Sequence, residues 1–307
     1  MFRYILKRLG QTLIVLFFIS IFAFVIIRLA PGDPAKMMVS ENATVEQVEA
    51  MREALGLNRP LPVQYLIYMS GVLRGNMGTS IQYKLPCFDV IKGRLPVTFR
   101  LATTTMFLIL IISLPLGVIA GTNQGKMIDF FAMFFAMLGQ SLTPVWLGVF
   151  LIYIFSVRLG WLPSLGSGNG IQYVVMPAIA LGFQAMAEAT RITRSEMINI
   201  MKEDYITSIR AKGISRAEVQ WKYACKNALI PVITLSGINL GSMLAGTIVV
   251  ETIFVWSGMG QMLFQAVSTR DYPLVQSTLL VSACLIGIIN LLVDIINSFI
   301  DPRITLQ

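Results

Sequence analysis

A chain of 307 residues, 55% hydrophobic and only 13% charged, is too apolar for an ordinary soluble domain and reads as an integral membrane protein. Its net charge of +8 is not gathered into a basic stripe interleaved with aromatics, which argues against nucleic acid and leaves the charge as an orientation signal in a lipid bilayer. The absence of histidine removes histidine-based triads and H-E-x-x-H zinc sites, and Cys87, Cys225 and Cys284 fall in segments too dissimilar to form a disulfide or metal site.

The N-terminal segment carries Arg3, Lys7 and Arg8 and then stays almost wholly apolar to Ile27, so residues 1–29 are expected to form a first transmembrane helix. A secretory signal would have a shorter apolar core and a small-x-small cleavage site. Pro31-Gly32-Asp33-Pro34 cannot continue a helix and turns the chain out of the bilayer. Residues 30–98 read as a small external cap. Thr44 is a candidate N-cap for a short helix that Gly56 stops, and Pro60 opens a second with Tyr65, Leu66, Met69 and Leu73 at helical spacing.

Residues 99–300 hold the remaining spans. The second runs over 99–120 with Pro115 near its end; the third, 130–157, is interrupted at Ser141-Leu142-Thr143-Pro144. A proline inside a membrane helix frees a carbonyl, so the break belongs beside protein or water rather than lipid. Gln140, Ser141 and Thr143 are therefore candidates to line a translocation path, a purely structural kink being the other reading. The fourth span, 173–190, ends near Glu188 and Arg191, whose three-residue spacing predicts an ion pair on one helix face. The fifth, 229–253, contains Asn239 and Ser242, two further path candidates, and the close-packing step Gly237-x-x-x-Gly241. Glu251 near its end is either a functional acid or a structural hydrogen-bond acceptor. The sixth span, 274–300, carries Asn290 and Asp294 and precedes a tail, 301–307.

Between the fourth and fifth spans lies the one long charged segment, 191–229. Two short helices are predicted to meet at Gly213, the first closed by Arg210 and Lys212 near its carbonyl end. The second opens with the capping box Ser215-Arg216-Ala217-Glu218. By itself this is a solvated connector or a bent basic handle for a partner protein.

The wording of this segment resembles the cytoplasmic loop of the integral-membrane permeases of bacterial and archaeal ABC importers, in the dipeptide, oligopeptide, glutathione and nickel subgroup. Gly213 falls on the glycine of the loop motif E-A-A-x-x-x-G, which puts Thr207, Ser208 and Ile209 on its leading positions. Asp204-Tyr205-Ile206, Arg210-Ala211-Lys212-Gly213-Ile214 and Lys226-Asn227-Ala228-Leu229-Ile230-Pro231-Val232 repeat the subgroup's text. Thr207 replaces the acidic residue of the general motif and Tyr223 a common histidine. The resemblance extends to the openings FRYILKRLGQ and IIRLAPGDPA, to VVETIFVWSGMG and to the closing Asp301-Pro302-Arg303, nearly the whole chain.

That resemblance implies an all-α membrane protein of about six transmembrane helices with a type I ABC importer architecture, in the plasma (inner) membrane. Its implied partners are a second homologous permease, two cytoplasmic ATPase subunits and an external solute-binding protein. Asp204, Tyr205, Thr207, Ser208, Ile209, Arg210, Ala211, Lys212, Gly213 and Ser215 are the implied ATPase-coupling residues. No G-x-x-x-x-G-K-[ST] cradles phosphates here, so no cofactor is expected in this chain, and ATP would be used by the partner subunits. Peptides are the first cargo implied, with nickel chelates, glutathione and oligosaccharides as alternatives. An ATPase-independent secondary transporter is the rival class, and a serine–lysine dyad the one enzyme chemistry left open. The distribution of cations puts both termini and the handle in the cytoplasm, because eight Lys and Arg lie between Arg191 and Lys226 whereas the short loops opposite keep Arg158 and Arg270.

Overall fold

The computed structural model describes residues 2–29, 35, 39, 44–54 and 56–300. The turn expected at 31–34 and the tail 301–307 lie outside them. Among the described residues the regular structure is helical; the one β-type pairing is an isolated bridge between Thr79 and Pro86.

Helix α1 spans Phe2–Leu29, followed by the short helices α2, Val45–Ala54, and α3, Leu61–Leu73. The expected caps are present. The Thr44 hydroxyl accepts from the Gln47 N–H at 3.3 Å while the Gln47 side chain accepts from the Thr44 N–H at 3.1 Å. Gly56 stands beyond α2 with φ +66°, the left-handed conformation that costs glycine little. Helix α4 covers Cys87–Thr122, 36 residues with Pro96 and Pro115 inside it, so the second span begins well before residue 99, within the segment expected to be cap.

Helix α5 spans Met127–Ser141 and α6 Pro144–Leu151, the latter continued by a π-helical turn over Ile152–Arg158. Thr143 caps α6 by accepting from the Trp146 N–H. The break is far sharper than a kink: the two arms are bent by 104°. Helix α7 is Ile171–Ile200, α8 Asp204–Ala211 and α9 Arg216–Glu218, after which a π-helical turn, Val219–Ala224, leads into α10, Cys225–Gly246. Helices α11, Ile248–Ile253, α12, Met259–Ser268, and α13, Tyr272–Ile300, complete the chain.

Three of these helices are long and apolar enough to cross a membrane, at Arg8–Val25, Cys87–Thr122 and Tyr272–Ile296. The count rises to five if each bent pair, α5 with α6 and 216–229 with 231–244, forms one span. Helix α7, expected as the fourth span, is 30 residues long, but its second half carries Glu188, Arg191, Arg194 and Glu196.

The centre of the bundle is the pair α4 and α7. Small residues let their backbones approach: a Cβ at Gly121 would lie 2.7 Å from that of Met197, and one at Gly117 would overlap Thr193. Around this pair Ala102, Ile109, Met186, Val232, Met243 and Ile289 form a core to which α4, α7, α10 and α13 all contribute. Gly237 lies against Val293 and Gly241 against Asn290, so the expected glycine step admits α13 to α10. Helices α1 and α13 run antiparallel, with Arg8 paired to Asp294 at 3.3 Å. Large apolar side chains remain exposed along α1, α4 and α5, among them Phe18, Phe22, Phe107 and Phe130, as a helix surface facing hydrocarbon requires.

At the end of the bundle away from Arg8, Asp271 fastens the cap. Its fully buried carboxylate accepts from the Ser80 hydroxyl at 2.5 Å, the Gln82 N–H at 3.0 Å and the Leu274 N–H at 3.3 Å. One side chain thereby caps α13 and holds the 79–86 turn on it.

Candidate functional site

The handle is built as its sequence predicts, two helices meeting at a glycine. Gly213 has φ +80°, and its N–H donates to the Arg210 carbonyl at 3.0 Å, closing α8. The Ser215 hydroxyl accepts from the Glu218 N–H at 3.3 Å and caps α9. The reciprocal half of the capping box is not made; the Glu218 carboxylate accepts from Lys222 Nζ at 2.9 Å instead, a salt bridge one turn along the same face.

One surface of the handle is apolar. Ile206, Val219, Ala224 and Ala228 pack with Val118 of α4 and Met197 of α7, so the handle rests on the ends of the two central helices. Polar ties supplement this contact. Asn227 Nδ2 donates to Tyr205 Oη at 2.8 Å, joining the first helix of the handle to α10, and Arg216 Nη2 donates to the Thr122 carbonyl at 3.3 Å, joining the second to the last turn of α4. The opposite surface is free. Asp204, Tyr205, Thr207, Ser208, Arg210, Ala211, Lys212, Gly213 and Ser215 are exposed, whereas Ile209 is half-buried against the apolar cluster. Nine of the ten expected coupling residues thus form an accessible face, and Ile209 helps to seat it.

The expected path residues divide. Gln140, Asn239 and Ser242 line one open cleft of about 620 Å³ between α5, α7 and α10. Ser141 and Thr143 line no part of it: Ser141 Oγ donates to the Met137 carbonyl at 3.0 Å, and Thr143 is occupied in capping α6. Gln184 and Glu188, which sequence reasoning did not place there, complete the polar lining. Glu188 was expected to pair with Arg191, but Arg191 Nη1 donates to Gln140 Oε1 at 3.3 Å, and Glu188 faces the cleft. A shared helix face permitted the pair; an acceptor on a neighbouring helix won. Four of the lining side chains are amides or a carboxylate, suited to a solute that both donates and accepts hydrogen bonds.

Two buried acidic side chains hold this arrangement. Asp129, at the start of α5, accepts from Arg194 of α7 through both guanidinium Nε and Nη2, the latter at 2.7 Å, and from the Gly125 N–H at 2.9 Å. Bidentate pairing of this kind fixes direction as well as distance. At the opposite end Glu251 is fully buried. It accepts from the hydroxyls of Thr98 at 2.9 Å and Thr247 at 2.6 Å and from the Gln261 N–H at 2.9 Å. Thr98 in turn accepts from the Met259 N–H at 2.7 Å. A side chain at Gly258 would strike the carboxylate and the Thr98 hydroxyl, and one at Gly260 the backbone of Ile248, so the glycines of VVETIFVWSGMG make room for this packing. Of the two roles open to Glu251, the structural acceptor is the one built.

Residues 113–306 match the family described as a binding-protein-dependent transport system inner membrane component, and residues 1–102 match the N-terminal family of the same membrane components. The chain is 37% identical to the dipeptide transport system permease protein DppB of Alkalihalophilus pseudofirmus, with 99% of each chain covered. It is 36% identical to the glutathione transport system permease protein GsiC of Escherichia coli K12, again over 99% of each. A probable peptide ABC transporter permease of Sinorhizobium fredii, y4tP, is 37% identical over 98% of each. The fold is shared with an inward-facing structure of the MetNI methionine ABC transporter, with a TM-score of 0.53 over 70% of this chain and 97% of the other at 17% identity. The two family matches together cover almost every residue from 1 to 306, and these relatives are more than one third identical along their whole length. The chain belongs to the binding-protein-dependent transport system inner membrane components, the permease subunits of ABC importers.

Proposed function

We propose that this permease carries short peptides inward across the plasma membrane, driven by ATP hydrolysed on partner subunits. The observation that carries the cargo is the full-length similarity to relatives named for dipeptides, peptides and glutathione, three cargoes with amide bonds and charged ends in common. The cleft between α5, α7 and α10 supports it. Gln140, Gln184 and Asn239 offer amides that can match peptide groups, and Glu188 offers a carboxylate for an α-ammonium.

In this reading the chain crosses the membrane about six times, with both termini and the handle in the cytoplasm. The exposed face of the handle meets an ATPase subunit, and closure of the ATPase pair on ATP pushes it. The seating of Ile206 and Val219 on the ends of α4 and α7 passes the push to the two central helices. A second homologous permease covers the apolar surface left open on α5 and α6, where Phe131, Phe135 and Trp146 are exposed, and completes the path. An external binding protein docks on the cap and delivers cargo. The permease itself carries out no chemistry.

Proteoliposomes containing the permease pair, the ATPases and the binding protein, loaded with ATP, should accumulate a labelled dipeptide. Accumulation without nucleotide would reject the ATP-driven reading. Accumulation of a disaccharide or a nickel chelate in place of the peptide would reject the cargo.

A further inference from the structure

Between α1 and α13 runs a groove of about 220 Å³ that the transport reading leaves unused. The two helices meet at Thr12 and Gly287, where a Cβ on the glycine would stand 2.7 Å from the threonine methyl, and both residues line the groove. Its polar lining gathers at one end, with Arg8 and Gln11 on α1 opposite Asn290 and Asp294 on the antiparallel α13. Farther along, the lining is apolar, Val15 and Ile19 on one side and Ala283 and Ile286 on the other. Among the described residues of the lining, Arg8 is the one cation and Asp294 the one anion, paired at 3.3 Å with side chains 43% and 26% exposed.

The spans place this groove in the bilayer. Arg8 is the first residue of the apolar window Arg8–Val25, and Asp294 stands just before the end of the window Tyr272–Ile296, so the ion pair marks one boundary of the hydrocarbon. From that pair each helix runs about 16 Å to its last lining residue, Ile19 or Ala283, which is about one leaflet of a hydrocarbon core roughly 30 Å thick. An occupant of this groove is thus polar at the membrane surface and apolar for the depth of a leaflet. Gln11 and Asn290 lie about one turn in from the pair; both are exposed, and neither has a hydrogen bond to another described residue. Hydrocarbon offers an amide nothing, whereas a ligand seated in the groove reaches both.

We propose that the groove holds one phospholipid with a primary ammonium headgroup, of the phosphatidylethanolamine class, in the leaflet beside the start of α1, the cytoplasmic one in the reading above. Its phosphate lies against Arg8 and its ammonium donates to the Asp294 carboxylate, so that a zwitterion is laid against an ion pair. The ester carbonyls, one step deeper, accept from the amides of Gln11 and Asn290, and an acyl chain follows Val15, Ile19 and Ile286. Phosphatidylcholine matches the phosphate and the chain but has no N–H for Asp294, and phosphatidylglycerol sets an uncompensated negative charge beside that carboxylate. The site rests on the membrane-spanning reading and is independent of what is transported.

The full chain, purified in detergent and stripped of lipid, is titrated with each of the three phospholipids under native mass spectrometry. Phosphatidylethanolamine should fill one site about tenfold more tightly than phosphatidylcholine or phosphatidylglycerol. Asp294→Asn should bring phosphatidylethanolamine down to about the level of the other two, whereas Gln11→Leu, which leaves the ion pair in place, should weaken all three about fivefold and keep their order. Equal binding of the three lipids by the wild type would overturn the headgroup assignment, and a tenfold preference that survives Asp294→Asn would overturn the ammonium contact. Binding unchanged in both variants would overturn the site. O-phosphoethanolamine, the headgroup without its chains, should compete only at concentrations far above the lipid's; displacement at comparable concentrations would overturn the lipid in favour of a free phosphate ester. Binding is measured on the isolated permease, so loss of peptide uptake in vesicles would leave this result unchanged.

Discussion

Arg194 of α7 holds Asp129 of α5 through one guanidinium edge, Nε and Nη2, across 65 residues of sequence. Asp129 is almost fully enclosed and Arg194 largely so. Such a pair adds little net stability over an apolar replacement of both partners, because desolvation offsets the attraction, but breaking it from one side strands a charge.

Asp129→Ala should therefore destabilise the permease by about 3–5 kcal/mol, and Asp129→Ala with Arg194→Met by much less. Thermal unfolding of the two variants in detergent measures the difference. Additive losses would mean that the two residues do not act as a pair.

Gly213→Val places a β-branched residue at φ +80°, at a cost of about 1–2 kcal/mol, although a Cβ there meets nothing within 4 Å. Insertion and yield should be retained. ATP-driven uptake should fall at least tenfold while the ATPase subunits keep their own hydrolysis, and Gly213→Asn, which tolerates the left-handed conformation, should fall less. Uptake by the valine variant at the native rate would remove the handle from the coupling step.

Glu251→Leu leaves the Gln261 N–H without its acceptor and the Thr98 and Thr247 hydroxyls without theirs. The expected loss is about 2–4 kcal/mol. Glu251→Gln should cost less, since its oxygen can still serve Gln261 while the hydroxyls turn to accept from the amide. Equal losses from both, followed by chemical denaturation, would contradict the hydrogen-bond account.

Glu188→Gln and Asn239→Leu change the lining of the cleft without touching the buried core. Peptide uptake should show a raised KM with unchanged yield, and Ser141→Ala, outside the cleft, should be neutral. A neutral result for both cleft variants would move the path elsewhere.

Much of this was legible in the sequence where the determinant is local. Gly213, the Ser215 cap, the Thr44 cap and the Gly237–Gly241 step each depend on a few neighbouring residues, and each is found where its pattern places it. The spacing of Glu188 and Arg191 was equally clear and failed, because Gln140 approaches from another helix. No local pattern announces Asp129 with Arg194; the pair is made by packing. The proline after Ser141 signalled a break, but the 104° turn depends on what surrounds it.

Arg216 terminates a helix other than its own, since the Thr122 carbonyl it meets belongs to the last turn of α4, past the Ile119 and Ala120 carbonyls that the Asn123 N–H pairs. From that turn α4 continues for 36 residues, roughly 54 Å by its rise per residue, to Cys87, buried with Met262 and Leu263 beneath the cap. A single axle, with Pro96 and Pro115 inside it, thus has its foot on the handle and its head under the cap, where the proposed binding protein would deliver cargo. News of a loaded binding protein and the stroke of the ATPase would travel the same shaft in opposite directions.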